Sequence, residues 1–173
     1  MVHKINFDDI RPFNDSEVNG YLQLLLQDEN FQHILQFVSK DPQRIEQLKL
    51  MLTHIHSVKD LQLKFVYQMV DELILKSSTD GLTSSGLDSL DKNTSYLFIS
   101  NHRDILLDTS LLNACLFEHK LVMTASAIGD NLVTKSFLKV LARLNRNFLV
   151  QRGLSPREML QSSKLLAEYI SKL

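Results

Sequence analysis

The stretch Tyr96-Leu97-Phe98-Ile99-Ser100-Asn101-His102-Arg103-Asp104-Ile105-Leu106-Leu107-Asp108 joins a short β-rich apolar run to a polar turn and then a helix-like segment. The run 96–100 predicts a strand and residues 109–117 predict a helix. Between them sits an Asn-His pair, with acidic residues two and six positions beyond the histidine. A strand ending in Asn101-His102 places an imidazole at the rim of a sheet, where α/β proteins put their chemistry. A neutral histidine takes a proton from an alcohol when a carboxylate orients its ring and stabilises the imidazolium. His102 with Asp104 or Asp108 is therefore a candidate general-base pair for a hydroxyl substrate, and no obvious Ser or Cys nucleophile accompanies it. His102-Arg103-Asp104 also reads like a kinase catalytic loop, but the required Asn falls at Thr109, and no Gly-rich phosphate loop or Asp-Phe-Gly triplet is present.

Outward from this point the chain divides. Residues 1–77 read as an N-terminal helical region. Asn14 with Glu17 forms a capping-box pattern ahead of Val18, Leu22 and Leu25, and Asp41-Pro42 opens a later helix. Leu61, Phe65, Met69, Val70 and Leu73 form the apolar stripe of the longest helical segment. After the polar break at 76–81, residues 78–173 alternate strands and helices: strands at 96–100, 120–125 and 147–150, helices at 109–117, 133–144 and from Ser155-Pro156 to Ile170. The expected class is α/β with mainly parallel pairing.

Composition sets further bounds. The 173 residues suit one ordinary domain, and a formal net charge of −1 argues against wholesale nucleic-acid binding. Cys115 is the only cysteine, and its apolar surroundings suggest a small packed hydrophobe in a reducing compartment. No signal peptide or membrane-spanning run is evident. His54 and His56 diverge by about 200° on a helix, so they are read as structural and no metal is expected. Ser171-Lys172-Leu173 matches a peroxisomal address but also continues the helical period before it.

Lys135, Lys139, Arg143 and Arg146 fall along one face of a predicted helix, and no acidic residue lies between Asp130 and Glu158. Such a stripe suits anionic lipid headgroups at about 1 kcal/mol per basic residue, or simply a solvated face. Arg152, ending the strand 147–150 beside Gly153, is placed to bind a phosphate through its planar fork.

Taken together, Ser100-Asn101-His102, Asp108, the Ala127-Ile128-Gly129 segment and Arg152 resemble the glycerolipid acyltransferase superfamily of glycerol-3-phosphate and 1-acylglycerol-3-phosphate acyltransferases. The opening Phe7-Asp8-Asp9-Ile10-Arg11-Pro12 is similar to that of a bacterial subgroup of glycerol acyltransferases. The resemblance implies a glycerol-3-phosphate acyltransferase-like α/β layer in residues 78–173. It also implies acyl transfer from an acyl-CoA or acyl-ACP (acyl carrier protein) thioester to a glycerol phosphate or lysophospholipid hydroxyl, with no cofactor. His102 would be the base, Asp108 or Asp104 its orienting carboxylate, and Arg152 the ligand of the acceptor's phosphate. Asn101, Arg103 and Gly129 would line the substrate site. The expected setting is the cytoplasmic, inner face of a membrane, peripherally bound. Two departures accompany the resemblance. Five residues rather than four separate His102 from Asp108, and the family's third block would lie beyond Leu173, so an incomplete layer with an open edge is expected. A non-catalytic membrane-surface or partner-binding module is the alternative.

Overall fold

The N-terminal helices form where caps and apolar periods coincide. The computed structural model describes residues 6–101, 103–104 and 107–173. Helices α1 (Asp15–Gln27), α2 (Glu29–Val38) and α3 (Pro42–Thr53) follow one another through short connections. Each begins at a side chain that can satisfy its unpaired first-turn N–H groups. Glu17 accepts the Asn14 N–H at 2.7 Å, Asp28 accepts those of Asn30 and Phe31, and Asp41 accepts that of Gln43. Val18, Leu22 and Leu25 of α1, Phe31 and Leu35 of α2, and Leu48 and Leu52 of α3 are buried.

Residues 58–78 are helical but not uniformly α. The α-turns α4 (Val58–Leu61), α5 (Tyr67–Val70) and α6 (Lys76–Ser78) alternate with π-helical turns at Gln62–Val66 and Asp71–Leu75. Leu61, Phe65 and Val70 are buried, while Leu73 of the expected stripe is only half-buried. The five-residue step from Phe65 to Val70 suits i→i+5 bonding, which moves the apolar face off the α period.

The chain forms two compact units, residues 1–61 with 125–173, and residues 62–124. They differ from the expected division at residue 77. In the first unit α1 packs on α8 (Ser136–Leu144), so the N-terminal helices share a body with the α/β segment. Its sheet consists of β1 (Ser126–Gly129) and β2 (Asn147–Val150), parallel, with Ile128 opposite Leu149. Helix α9 (Pro156–Ile170) follows, opened by Ser155 and Glu158 as a capping box. Coarsely this is a helix-dominated α/β arrangement.

The segment 7–13 binds that unit together. Leu149 in β2 donates its N–H to the Ile10 carbonyl at 2.8 Å, and Ile10 packs with Val133, Ala142 and Leu149. The Arg143 guanidinium donates to the carbonyls of Arg11 at 2.8 Å and Asp8 at 2.6 Å, and lies 4.1 Å over the Phe13 ring. Arg11 in turn grips Glu17 through both terminal nitrogens and Asp8 through Nε. Arg143 therefore does not belong to the expected basic membrane face, because its guanidinium is turned onto the main chain of the N-terminal segment.

In the second unit, α7 (Leu107–Glu118) carries the buried Asn113, Ala114, Cys115 and Leu116. Tyr67 meets Phe117 edge-on and donates to Glu118. Two expected strands are corrected here. Residues 96–100 have the composition of a strand but are irregular and unpaired, with Leu97 80% and Ile99 87% exposed. β-Propensity does not hold a strand without a neighbouring ladder, and no described residue supplies one. The strand expected at 120–125 begins instead at Ser126. Lys120 adopts φ 59° and is spent closing α7, where Leu121 N–H returns to the Leu116 carbonyl in a Schellman-like turn. Asn113 then holds Thr124 through its N–H and hydroxyl.

Replacing Arg143 by alanine is expected to lower unfolding free energy by about 2–4 kcal/mol, since two hydrogen bonds and a ring contact are lost. Lys139→Ala is expected to change it by less than about 0.5 kcal/mol; urea titration compares them. The hydrogen bond from Arg11 holds the Glu17 carboxyl below its ordinary 4.5. Its stabilising contribution is thus full above pH 4.5 and fades as pH falls through the lowered folded value. A Glu17→Gln variant should show a shallower loss of stability as pH falls below about 5 in acid titrations followed by circular dichroism, on the order of one proton's worth.

Candidate functional site

The turn before α7 is shaped by its two acidic residues. Asp108 Oδ2 accepts the backbone N–H groups of Arg103 at 2.7 Å and Asp104 at 3.0 Å. An aspartate in the first helical turn thus reaches back over the two residues that follow His102 in the chain. Asp104 has a different duty, because its Oδ1 accepts the Leu107 N–H at 2.8 Å, as a helix cap does. Asn101, Arg103 and Asp104 are exposed and Asp108 is half-buried. His102 lies outside the described residues. Cys115, the one thiol, is buried in α7 and offers no exposed nucleophile.

The second group of expected site residues stands at the ends of β1 and β2. The strands run parallel, so both chains leave the sheet on the same side, the usual place for ligands in α/β layers. β1 ends in Gly129, followed by a 3₁₀ turn at Asp130–Leu132. β2 ends at Val150, and Arg152 follows two residues later. Asp130 Oδ1 accepts the Arg152 N–H at 3.0 Å and ties the two exits together. Gly153 has φ 69°, a left-handed conformation that glycine adopts without strain, and it turns the chain toward the Ser155 cap.

Gly129 is a different case. Its backbone is ordinary, φ −66° and ψ 132°. A Cβ there would stand 2.5 Å from Asn131 Oδ1, 3.6 Å from Arg152 Nε and 3.7 Å from Arg152 Cγ. The glycine gives up its side-chain space to an amide and a guanidinium that fold over it. Sequence reasoning identifies Gly129 and Arg152 but passes over Asp130 and Asn131. The available signal is a polar pair directly after an apolar strand end.

The structure thus brings Arg103, Asp104 and Asp108 together in one unit and Gly129 and Arg152 together in the other. Lys135 and Lys139 are exposed on or beside α8, while Arg146 is half-buried with φ 59° just past its end. Among the described residues no cluster of three or more His, Cys, Asp and Glu could hold a metal, and no helix is long and apolar enough to cross a membrane.

The different duties of the two aspartates can be separated. Asp104→Ala should cost about 1 kcal/mol, as loss of a cap does, and speed amide exchange at Leu107. Asp108→Ala should instead speed exchange at Arg103 and Asp104, at a cost of about 1–2 kcal/mol. Hydrogen-exchange mass spectrometry or NMR reads both.

Comparison with family models, with curated proteins and with solved structures finds no match to this chain.

Proposed function

We propose that this protein is an acyltransferase that moves a fatty acyl group from a coenzyme A or acyl carrier protein thioester to a hydroxyl of a glycerol phosphate or lysophospholipid. The observation that carries this reading is the Asp108 carboxylate, drawn back by two N–H groups onto the residues that follow His102. That position suits an orienting carboxylate for a general base, whereas Asp104 is engaged as a cap for Leu107.

In the proposed reaction His102 takes the proton of the acceptor hydroxyl as its oxygen attacks the thioester carbonyl. The C–O bond forms, the C–S bond breaks, and the imidazolium returns the proton to the departing thiolate. Asp108 offsets the charge on the ring in between. Attack is direct, without an acyl-enzyme. By the resemblance, Arg152 would bind the acceptor's phosphate through its fork, and Asn101 and Arg103, both exposed, would border the substrate. Lys135 and Lys139 remain available to a lipid surface, so peripheral attachment at the inner face of the membrane accompanies this reading.

A second reading, a non-catalytic membrane-surface or partner-binding module, draws on the exposed side chains of Leu97 and Ile99. The two readings diverge on His102. Thiol release from an acyl thioester, dependent on glycerol 3-phosphate or lysophosphatidate, is expected to fall at least about 10²-fold in His102→Ala, as general-base catalysis requires, with the circular dichroism spectrum retained. Asp108→Asn should lower it more than Asp104→Asn. Vesicle binding that is indifferent to His102, with no acceptor-dependent thiol release by the unaltered chain, would favour the module instead.

A further inference from the structure

We infer that Asn131 is a second ligand of the acceptor's phosphomonoester group, donating from its side-chain amide beside the Arg152 fork. The inference rests on the reading above in which Arg152 receives that phosphate. It adds a residue that the resemblance does not supply, and it follows from how Gly129 is used. Asn131 Oδ1 and Arg152 Nε both lie within 4 Å of the point where a Gly129 Cβ would be. An amide and a guanidinium therefore share one small surface at the end of β1 and β2. Asn131 Oδ1 lies against the Gly129 position, and the residue is exposed, so its NH2 group can reach a ligand that the Arg152 fork holds.

Neither donor is occupied from within the described part of the protein. Among the described residues, the Asn131 amide and the Arg152 guanidinium take part in no hydrogen bond or ion pair; the Arg152 bond to Asp130 is made by its backbone N–H. A phosphomonoester offers several acceptor oxygens at spacings that suit a planar fork plus one further donor. A carboxylate would saturate the fork alone. The Asp130 carboxylate fixes the backbone of Arg152 while opposing any anion by its charge. That opposition gives the site a sign that can be tested separately from its geometry.

The test is a titration of the full chain with inorganic phosphate, then glycerol 3-phosphate, followed by calorimetry and by the NMR signals of the Asn131 NH2 and Arg152 Nε–H. Phosphate should move both signals. Asn131→Ala should weaken phosphate binding about ten-fold, the loss of one hydrogen bond to a charged group, and Arg152→Ala should weaken it more. Gly129→Ala, whose backbone angles alanine accepts, should weaken it similarly by displacing an unchanged Asn131. Asp130→Asn keeps an acceptor for the Arg152 N–H and should tighten binding about three-fold as the opposing charge is removed. Competition by glycerol 3-phosphate marks a soluble acceptor, whereas competition only by lysophosphatidate marks a lipid one; both support a phosphomonoester site. Wild-type affinity in Asn131→Ala, with binding lost in Arg152→Ala, overturns the role of Asn131 and leaves the acceptor reading standing. No phosphate binding by the unaltered chain, or none lost in Arg152→Ala, overturns both.

Discussion

The Arg143 guanidinium, lying over the Phe13 ring and donating to the carbonyls of Asp8 and Arg11, is the interaction on which the first unit depends. It turns a short N-terminal segment without regular structure into part of the core. Once residues 7–13 are held, Ile10 can meet Leu149 of β2 and Arg11 can meet Glu17 at the start of α1. One cation therefore links a helix, a strand and a cap. Burial works against its charge and holds the Arg143 guanidinium below its ordinary value. That cost is offset because its donors meet carbonyls rather than bare hydrocarbon.

The same use of polar groups shapes the candidate site. Asp104 and Asp108 are close in sequence and chemically equal, yet one caps α7 and the other reaches back to Arg103 and Asp104. Asp130 ties the Arg152 backbone to the end of β1, and Gly129 leaves room for Asn131. The carboxylates fix the main chain, and the missing side chain at 129 leaves room for a neighbour.

Local rules were legible where local physics decides. The Asn14–Glu17 and Ser155–Glu158 boxes, the Asp41-Pro42 start and the strand at 147–150 stand where the residues indicated. The misreadings share a cause, since each needed a partner distant in sequence. Residues 96–100 have the right side chains for a strand but no described neighbour to pair with. Residues 120–125 were diverted by the left-handed Lys120 and by Asn113, which binds Thr124 across eleven positions. The basic stripe looked uniform at helical spacing, and only folding showed that Arg143 faces inward.

Caps, turns and apolar periods are set by interactions within a few residues, so the sequence alone determined the existence of most helices and the α/β character of the second half. Which residues share a body, that Arg143 is turned onto the main chain, and which side chains lie beside Gly129 were decided by tertiary structure. Those outcomes depend on groups brought together from far along the chain, such as Arg143 with Asp8 and Asp130 with Arg152. Hydrogen bonds of this kind join residues far apart in sequence, and no local pattern encodes them.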